Sequence, residues 1–232
     1  MNSINDIKNC YYINLETRPD RKNHVEHQLK TIGVSYKRFK AVKLPDGRVG
    51  CSMSHLALLQ LAKKEKLPHI MIVEDDIKFL DPILFKNQIN KFFSYKIDYD
   101  VLLIAGNNLP PFQKTNDSCV KVTTCQTTTG YIVQEHYYDT LIHNIRSSIQ
   151  KLIQQPDNHI QFAIDKYWFA LQRRHNWYLI IPLTVIQRED YSDIEKRATN
   201  YGRGMLDLDK IEYFKQQEII RQRLAQFPNL QM

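Results

Sequence analysis

Residues Ile70-Met71-Ile72-Val73 run without a break into Glu74-Asp75-Asp76. A short, β-branched apolar run of this kind reads as a strand buried on both faces, as in a parallel sheet. Its acids then fall at the carboxyl end, where open α/β sheets hold their ligands. Adjacent carboxylates repel one another, and a fold that gathers them brings in a cation. Hard oxygen ligands suit Mg²⁺ or Mn²⁺, often bridging to phosphate. The plainer alternative is a solvated acidic turn after a core strand.

The rest of the chain fits an α/β layout. A strand over Asn9–Leu15 is followed by Thr17 as N-cap, with Pro19 and Asp20 in the first turn, and a helix to Ile32 that Gly33 stops. Ser35–Val42 reads as a more polar strand, 44–50 as a turn and Cys51–Lys66 as a helix. Asp81-Pro82 opens another helix reaching about Tyr95. Val101–Ala105 is a second unbroken apolar run, and Val120–Val133 holds one or two strands. Helical patterns occupy Gln134–Gln154 and His159–His175, and a strand over Trp177–Ile181 is closed by Pro182. Strands alternating with helices in the first half predict a parallel sheet with right-handed crossovers. A length of 232 residues suits one large domain over 1–205, with a charged helical tail over 206–232.

Composition narrows the function classes. The polar start and the lack of any long apolar run predict neither an export signal nor a membrane span, hence a cytoplasmic protein. Cys10, Cys51, Cys119 and Cys125 lack the paired spacing of a structural zinc site and are expected to be reduced; Cys119 and Cys125 could face each other across a hairpin. The formal charge of +7 favours an anionic partner, but the basic residues are dispersed, which argues against a specific nucleic-acid surface. Self-association is left open.

Four segments in order carry a resemblance. Tyr12-Ile-Asn-Leu-Glu-Thr-Arg-Pro-Asp-Arg21, Gly50-Cys-Ser-Met-Ser-His55, Ile72-Val-Glu-Asp-Asp76 and Thr129-Gly-Tyr-Ile-Val133 resemble glycosyltransferase family 25, over roughly Tyr11 to Glu195. That family includes lipopolysaccharide sugar transferases and collagen hydroxylysine galactosyltransferases. The resemblance implies a single GT-A-like (Rossmann-like) domain with a mostly parallel central sheet flanked by helices, a UDP-sugar donor and a divalent metal, Mn²⁺ or Mg²⁺. The hexose, glucose or galactose, would pass to a lipopolysaccharide-like glycan or to (galactosyl-)hydroxylysine of a collagen-like protein.

Carried onto this sequence, the resemblance implies metal contact by Glu74 and Asp76, with Asp75 on metal or donor ribose. Ile13, Asn14 and Leu15 would line the donor nucleotide, and Arg18 and Arg21 would reach a base or phosphate; exposed helix arginines are the competing account. Gly50 would let the chain approach the donor. Ser54 and His55 would bond to it at the opening of a helix, against a capping Ser with a packed His. Asp165 would take the proton from an acceptor hydroxyl, against a salt bridge with Lys166 or Arg173. Tyr167 and Trp168 either stack on a sugar or pack in the core. Gln187, in a final motif with Tyr191–Ile194, would close the donor site or give an oxygen to the metal, where related enzymes use His; Ser192 with Glu195 also fits a capping box. The other histidines read as surface or core residues. A phosphoryl-transfer or hydrolytic enzyme and a non-catalytic sugar- or nucleotide-binding module are the rival classes, and no Gly-x-x-x-x-Gly-Lys loop supports the first. Richness in Asn, Ile and Lys points to a microbe or large virus, the protein then lying in the host cytoplasm or virion.

Overall fold

The computed structural model describes residues 1–226. In chain order its strands are β1 (Cys10–Asn14), β2 (Tyr36–Lys40), β3 (His69–Glu74), β4 (Ile77–Phe79), β5 (Val101–Leu103), β6 (Asn107–Asn108), β7 (Phe112–Lys114), β8 (Cys119–Val122), β9 (Cys125–Gln126), β10 (Gly130–Gln134), β11 (Trp177–Ile180), β12 (Val185–Gln187), β13 (Asp190–Ser192) and β14 (Arg197–Thr199). The helices are α1 (Pro19–Ile32), α2 (Gly47–Lys64), α3 (Pro82–Ser94), α4 (Tyr138–Gln154), the short α5 (His159–Phe162), α6 (Ile164–Tyr167) and α7 (Phe169–Gln172), then α8 (Gly202–Leu206) and α9 (Ile211–Gln226).

An 8-stranded sheet in the order β2-β1-β3-β10-β5-β11-β8-β7 forms the centre. Within it β8 and β10 run against the other strands. The sheet is therefore mostly parallel, as the alternating pattern predicts. Both faces are covered, which is why its strands read as continuous apolar runs rather than alternating ones. Ile70 and Ile72 of β3 pack with Leu58, Leu59 and Ala62 of α2 and Leu141 and Ile145 of α4. Met71 and Val73 face the opposite side, with Val25 and Leu29 of α1 and Phe85, Ile89 and Phe92 of α3.

Local chemistry explains most boundaries. Asp81 caps α3 by accepting from the Leu84 N–H at 2.9 Å, with Pro82 in the first turn. Gly33 ends α1 in the left-handed conformation (φ 76°) that lacks a Cβ penalty. Thr17 is not the N-cap of α1. Arg18 holds that place without a side-chain bond, because the Asn14 amide takes the Arg18 carbonyl (3.0 Å) and fixes the chain's entry into Pro19. The turn expected over 44–50 is shorter, since Asp46 caps α2 by accepting from the Arg48 N–H at 2.9 Å. Gly50, Ser54 and His55 consequently lie inside α2, not at its opening.

The helix expected over His159–His175 is broken at Ala163, where ψ is 140°. Tertiary bonds hold this segment: Ser148 Oγ donates to the Phe162 carbonyl (2.7 Å), and the indole N–H of Trp168 donates to the Cys125 carbonyl (3.1 Å). Trp168 is fully buried and belongs to the core, not to a sugar-stacking surface. Cys119 and Cys125 are buried free thiols on β8 and β9. Ser192 Oγ accepts from the Glu195 N–H (3.1 Å) in the turn of the β13–β14 hairpin, so this pair caps no helix. The expected charged tail includes the surface helix α9; its last part, beyond residue 226, lies outside the described residues. Among the described residues no helix is long and apolar enough to cross a membrane.

Candidate functional site

The acids of the 70–76 segment emerge beside the end of β1, next to Arg21 in the first turn of α1 and against Cys51 and His55 inside α2. Glu74 sits at the end of β3 and is held by donors on every side. Its Oε1 accepts from Thr128 Oγ1 (2.8 Å), His55 Nε2 (3.4 Å) and Cys51 Sγ (3.6 Å), and its Oε2 from the Gln187 amide (3.4 Å). Burial pushes its pKa upward. The His55, Thr128 and Cys51 contacts outweigh that and keep the carboxyl below its ordinary value. With Nε2 donating to Glu74, His55 Nδ1 accepts from the Tyr131 hydroxyl at 2.8 Å.

Asp75 is buried and anchored by the Asn14 amide (2.6 Å) and by Arg21 (3.0 Å); burial raises its pKa. Asp76 is the unusual member. One carboxylate oxygen lies 3.4 Å from Arg21, while Oδ1 is buried with no hydrogen-bond partner. Burial, reinforced by the charge on Glu74, pushes its pKa up to about 8. A buried carboxylate oxygen without a donor is costly, and it fits a hard divalent cation, which would supply the missing charge.

The residues named from the sequence fall into two groups. Asn14, Arg21, Asp75 and Asp76 form one bonded set, and Glu74 with Gln187 a second beside it, at the end of the same strand. Asp165, on α6, is half-buried and accepts from the Thr127 N–H at 3.1 Å instead of making a salt bridge with Lys166 or Arg173. Burial raises its pKa, and the charge of Glu74 pushes in the same direction. Thr127 adopts φ 77°, an uncommon conformation for a β-branched residue.

The other group supports from behind. Ile13 is a core residue paired on both sides, to Phe39 and Glu74. The Leu15 carbonyl closes a turn by accepting from the Arg18 N–H (3.0 Å). Ser54 Oγ accepts from the Val42 N–H and donates to the Gly50 carbonyl, both at 2.8 Å. Ser54 and His55 are fully buried with these bonds made inside the protein. Gly50 presses on backbone: a Cβ there would lie 2.5 Å from the Val42 carbonyl oxygen.

Arg18 and Arg21 are occupied by carboxylates. Arg18 bonds Asp20, Asp190 and Asp193, and Arg21 bonds Asp75, Asp76 and Asp190. Arg188 joins them on Asp190 at 2.6 Å. Sequence reasoning missed Arg188 and Asp190, although a charged Arg-Glu-Asp run directly after Gln187 was the available signal. It also missed Cys51 as a partner of Glu74; the spacing of Cys51 and His55, four apart on one helix face, was the clue. The sulfur of Cys51, a ring nitrogen of His55 and a Glu74 oxygen lie within 4.8 Å of one another, a second set able to hold a metal ion.

A profile described as "Glycosyltransferase family 25 (LPS biosynthesis protein)" matches residues 42–167, more than half of the chain. The chain belongs to glycosyltransferase family 25. A glycosyltransferase 25 family member of Drosophila pseudoobscura pseudoobscura is 25% identical over 161 residues, 55% of this chain and 26% of that protein. Its Drosophila melanogaster counterpart is 24% identical over the same shares. The match thus spans about a quarter of the length of those relatives. Among solved structures, a glycosyltransferase involved in glycosylation of the major capsid of PBCV-1 aligns over 91% of this chain and 99% of its own, at 10% identity and a TM-score of 0.43.

Proposed function

We propose that the protein is a divalent-cation-dependent hexosyltransferase that moves glucose or galactose from a UDP-sugar to a hydroxyl of a lipopolysaccharide-like glycan. The unpartnered, buried Oδ1 of Asp76 at the end of a core strand carries this reading. Asp76 would hold the cation, with Mn²⁺ or Mg²⁺ as the hard ion its oxygen suits. Bound there, the ion would neutralise charge on the departing diphosphate. Glu74 would stay anionic and set the local field, Asp75 would orient through Asn14 and Arg21, and Gln187 would hold Glu74 in place.

Asp165 is the proposed general base. Burial raises its pKa, which makes it a stronger base than an ordinary carboxylate. In the reaction the acceptor oxygen bonds to the anomeric carbon, the bond from that carbon to the diphosphate breaks, and the acceptor proton passes to Asp165. Such a direct displacement inverts the anomeric centre. We take residues 1–205 as the catalytic unit and a cytoplasmic location as the working assumption.

The test is UDP release with Mn²⁺ and a panel of UDP-sugars, with saccharide and hydroxylysine-peptide acceptors in parallel. Wild-type protein is expected to release UDP with one donor and an acceptor saccharide. Asp165→Asn should reduce kcat by about 10²–10⁴-fold with donor affinity retained. Folded protein that releases no UDP from any donor would overturn the reading, and turnover on the peptide alone would reassign the acceptor.

A further inference from the structure

Asp190 Oδ2 is surrounded by guanidinium groups. It accepts from Arg18 Nη2 (3.0 Å), Arg21 Nε (3.0 Å), Arg188 Nη2 (2.6 Å) and Arg188 Nε (3.2 Å), while its Oδ1 accepts from the Tyr191 N–H (2.7 Å). Three arginines converging on one carboxylate oxygen make a geometry suited to a polyanion: planar forks match phosphate oxygens. Arg21 also reaches Asp75 and Asp76, and the Arg188 N–H donates to the Asp76 carbonyl at 2.8 Å, so the arginines adjoin the proposed cation position.

Asp190 begins the β13–β14 hairpin, whose two strands pair only with each other. One side is tied to the start of α1, through Arg18 to Asp193 (2.8 Å) and Arg21 to the Tyr191 carbonyl (3.0 Å). The turn reaches the start of α2, where Ile194 lies against Gly47. The hairpin therefore bridges the starts of α1 and α2, and its attachment on the α1 side runs through the guanidinium groups of Arg18 and Arg21. Tyr191 and Ile194 remain substantially exposed.

We propose that Arg18, Arg21 and Arg188 form the diphosphate pocket of the nucleotide-sugar site, that Asp190 occupies it as an internal stand-in, and that a bound diphosphate displaces Asp190 and frees the hairpin. The inference rests on the transferase reading for the identity of the nucleotide, but the arginine pocket itself is tested with simpler anions. Asp20, Asp75, Asp76 and Asp193 share these guanidinium groups, but Asp190 alone bonds all three, and through a single oxygen; a diphosphate offers several acceptor oxygens to the same forks and therefore wins the exchange with Asp190.

Calorimetric titration of the full chain with inorganic pyrophosphate, and with UDP plus Mn²⁺, tests the pocket. Arg188→Ala should weaken pyrophosphate binding about tenfold, and Asp190→Asn should tighten it several-fold, in keeping with the energy of a charge-assisted hydrogen bond. Hydrogen exchange on the wild type needs no mutation: amides of 190–199 should exchange faster once pyrophosphate is bound. Absence of pyrophosphate binding overturns the pocket. Equal or weaker binding by a folded Asp190→Asn, or slower hairpin exchange, shows that Asp190 is a permanent brace and overturns the displacement. Pyrophosphate binding without turnover of any UDP-sugar leaves the pocket standing and removes the transferase reading instead.

Discussion

Asp76 and Glu74 stand two residues apart yet meet opposite fates. Glu74 collects hydroxyl, imidazole, thiol and amide donors and remains ionised, whereas Asp76 is left with one distant arginine contact and an unpaired oxygen. A carboxyl whose pKa is pushed up to about 8 holds its proton at neutral pH, and a cation must displace that proton to bind. Mn²⁺ affinity should therefore rise between about pH 6 and pH 8 and level off above, with protons released on binding. Titrations in two buffers of different ionisation enthalpy measure that release; a pH-independent affinity with no release would contradict the assignment.

The competing donor set is separable at the same scale. The Cys51 thiol is pushed well above its ordinary pKa, chiefly by burial and further by Glu74, so it serves as a hydrogen-bond donor and not as a thiolate. Cys51→Ser should keep Mn²⁺ binding within about threefold of wild type, roughly the weight of one neutral hydrogen bond, whereas Asp76→Ala should abolish it. Loss of the ion in Cys51→Ser, with Asp76→Ala still binding, would move the metal to Cys51, His55 and Glu74.

Among the elements, β3 and α2 determine where these residues stand. The β3 residues alternate between two cores, and Ile72→Ala would open a cavity on one of them; the expected loss is about 2–5 kcal/mol in urea unfolding. Ser54→Ala is subtler: it removes the link that ties α2 to the Val42 N–H, at a cost of about 1–3 kcal/mol. If Ser54 touched the donor instead, that variant would raise KM without lowering stability. The apolar run of β3, the Asp81-Pro82 cap and the Gly33 stop were legible in the sequence because each is decided within a few residues. The break at Ala163 and the early start of α2 were not. The first depends on partners in α4 and β9, and the second on a lone Asp46 cap that the neighbouring turn residues obscured.

At the scale of the molecule, the ordered motifs predicted the sheet and which strand ends meet, but not which side chains turn inward. Ile13 shares a motif with Asn14 yet packs in the core while Asn14 turns its amide to Asp75, and Ser54 bonds backbone within the protein; these choices are made by strand pairing and helix phase that no single segment reveals. Charge balance also emerges only here. The raised carboxyls, Asp75, Asp76 and Asp165, bind protons more tightly folded than unfolded, so without a cation they cost stability as pH climbs from about 4 toward 8. Asp190 is the reverse. Despite opposing burial, the hydrogen bonds from Arg188 and Tyr191 and the nearby guanidinium charges hold it well below its usual range, so its stabilisation is present above about pH 4 and is lost below that. Stability should peak at mildly acidic pH; Mn²⁺ should flatten the alkaline side and Asp190→Asn the acid side, both read as unfolding midpoints against pH.

The reversed strand β10 has a consequence of its own. Its neighbours β3 and β5 leave the sheet at the edge bearing the acids, but β10 enters there, so Thr127, Thr128 and Thr129 arrive at that edge as an inbound segment. That segment is pinned along its length: the Cys125 backbone is held by Gln172 and Trp168, Gln126 pairs with Asn107, and Thr127 and Thr128 bond Asp165 and Glu74. The wall beside Asp165 is therefore set by side chains of the inbound chain itself, and exchanging them would reshape it without altering the sequences of the helices that carry Arg21 and His55.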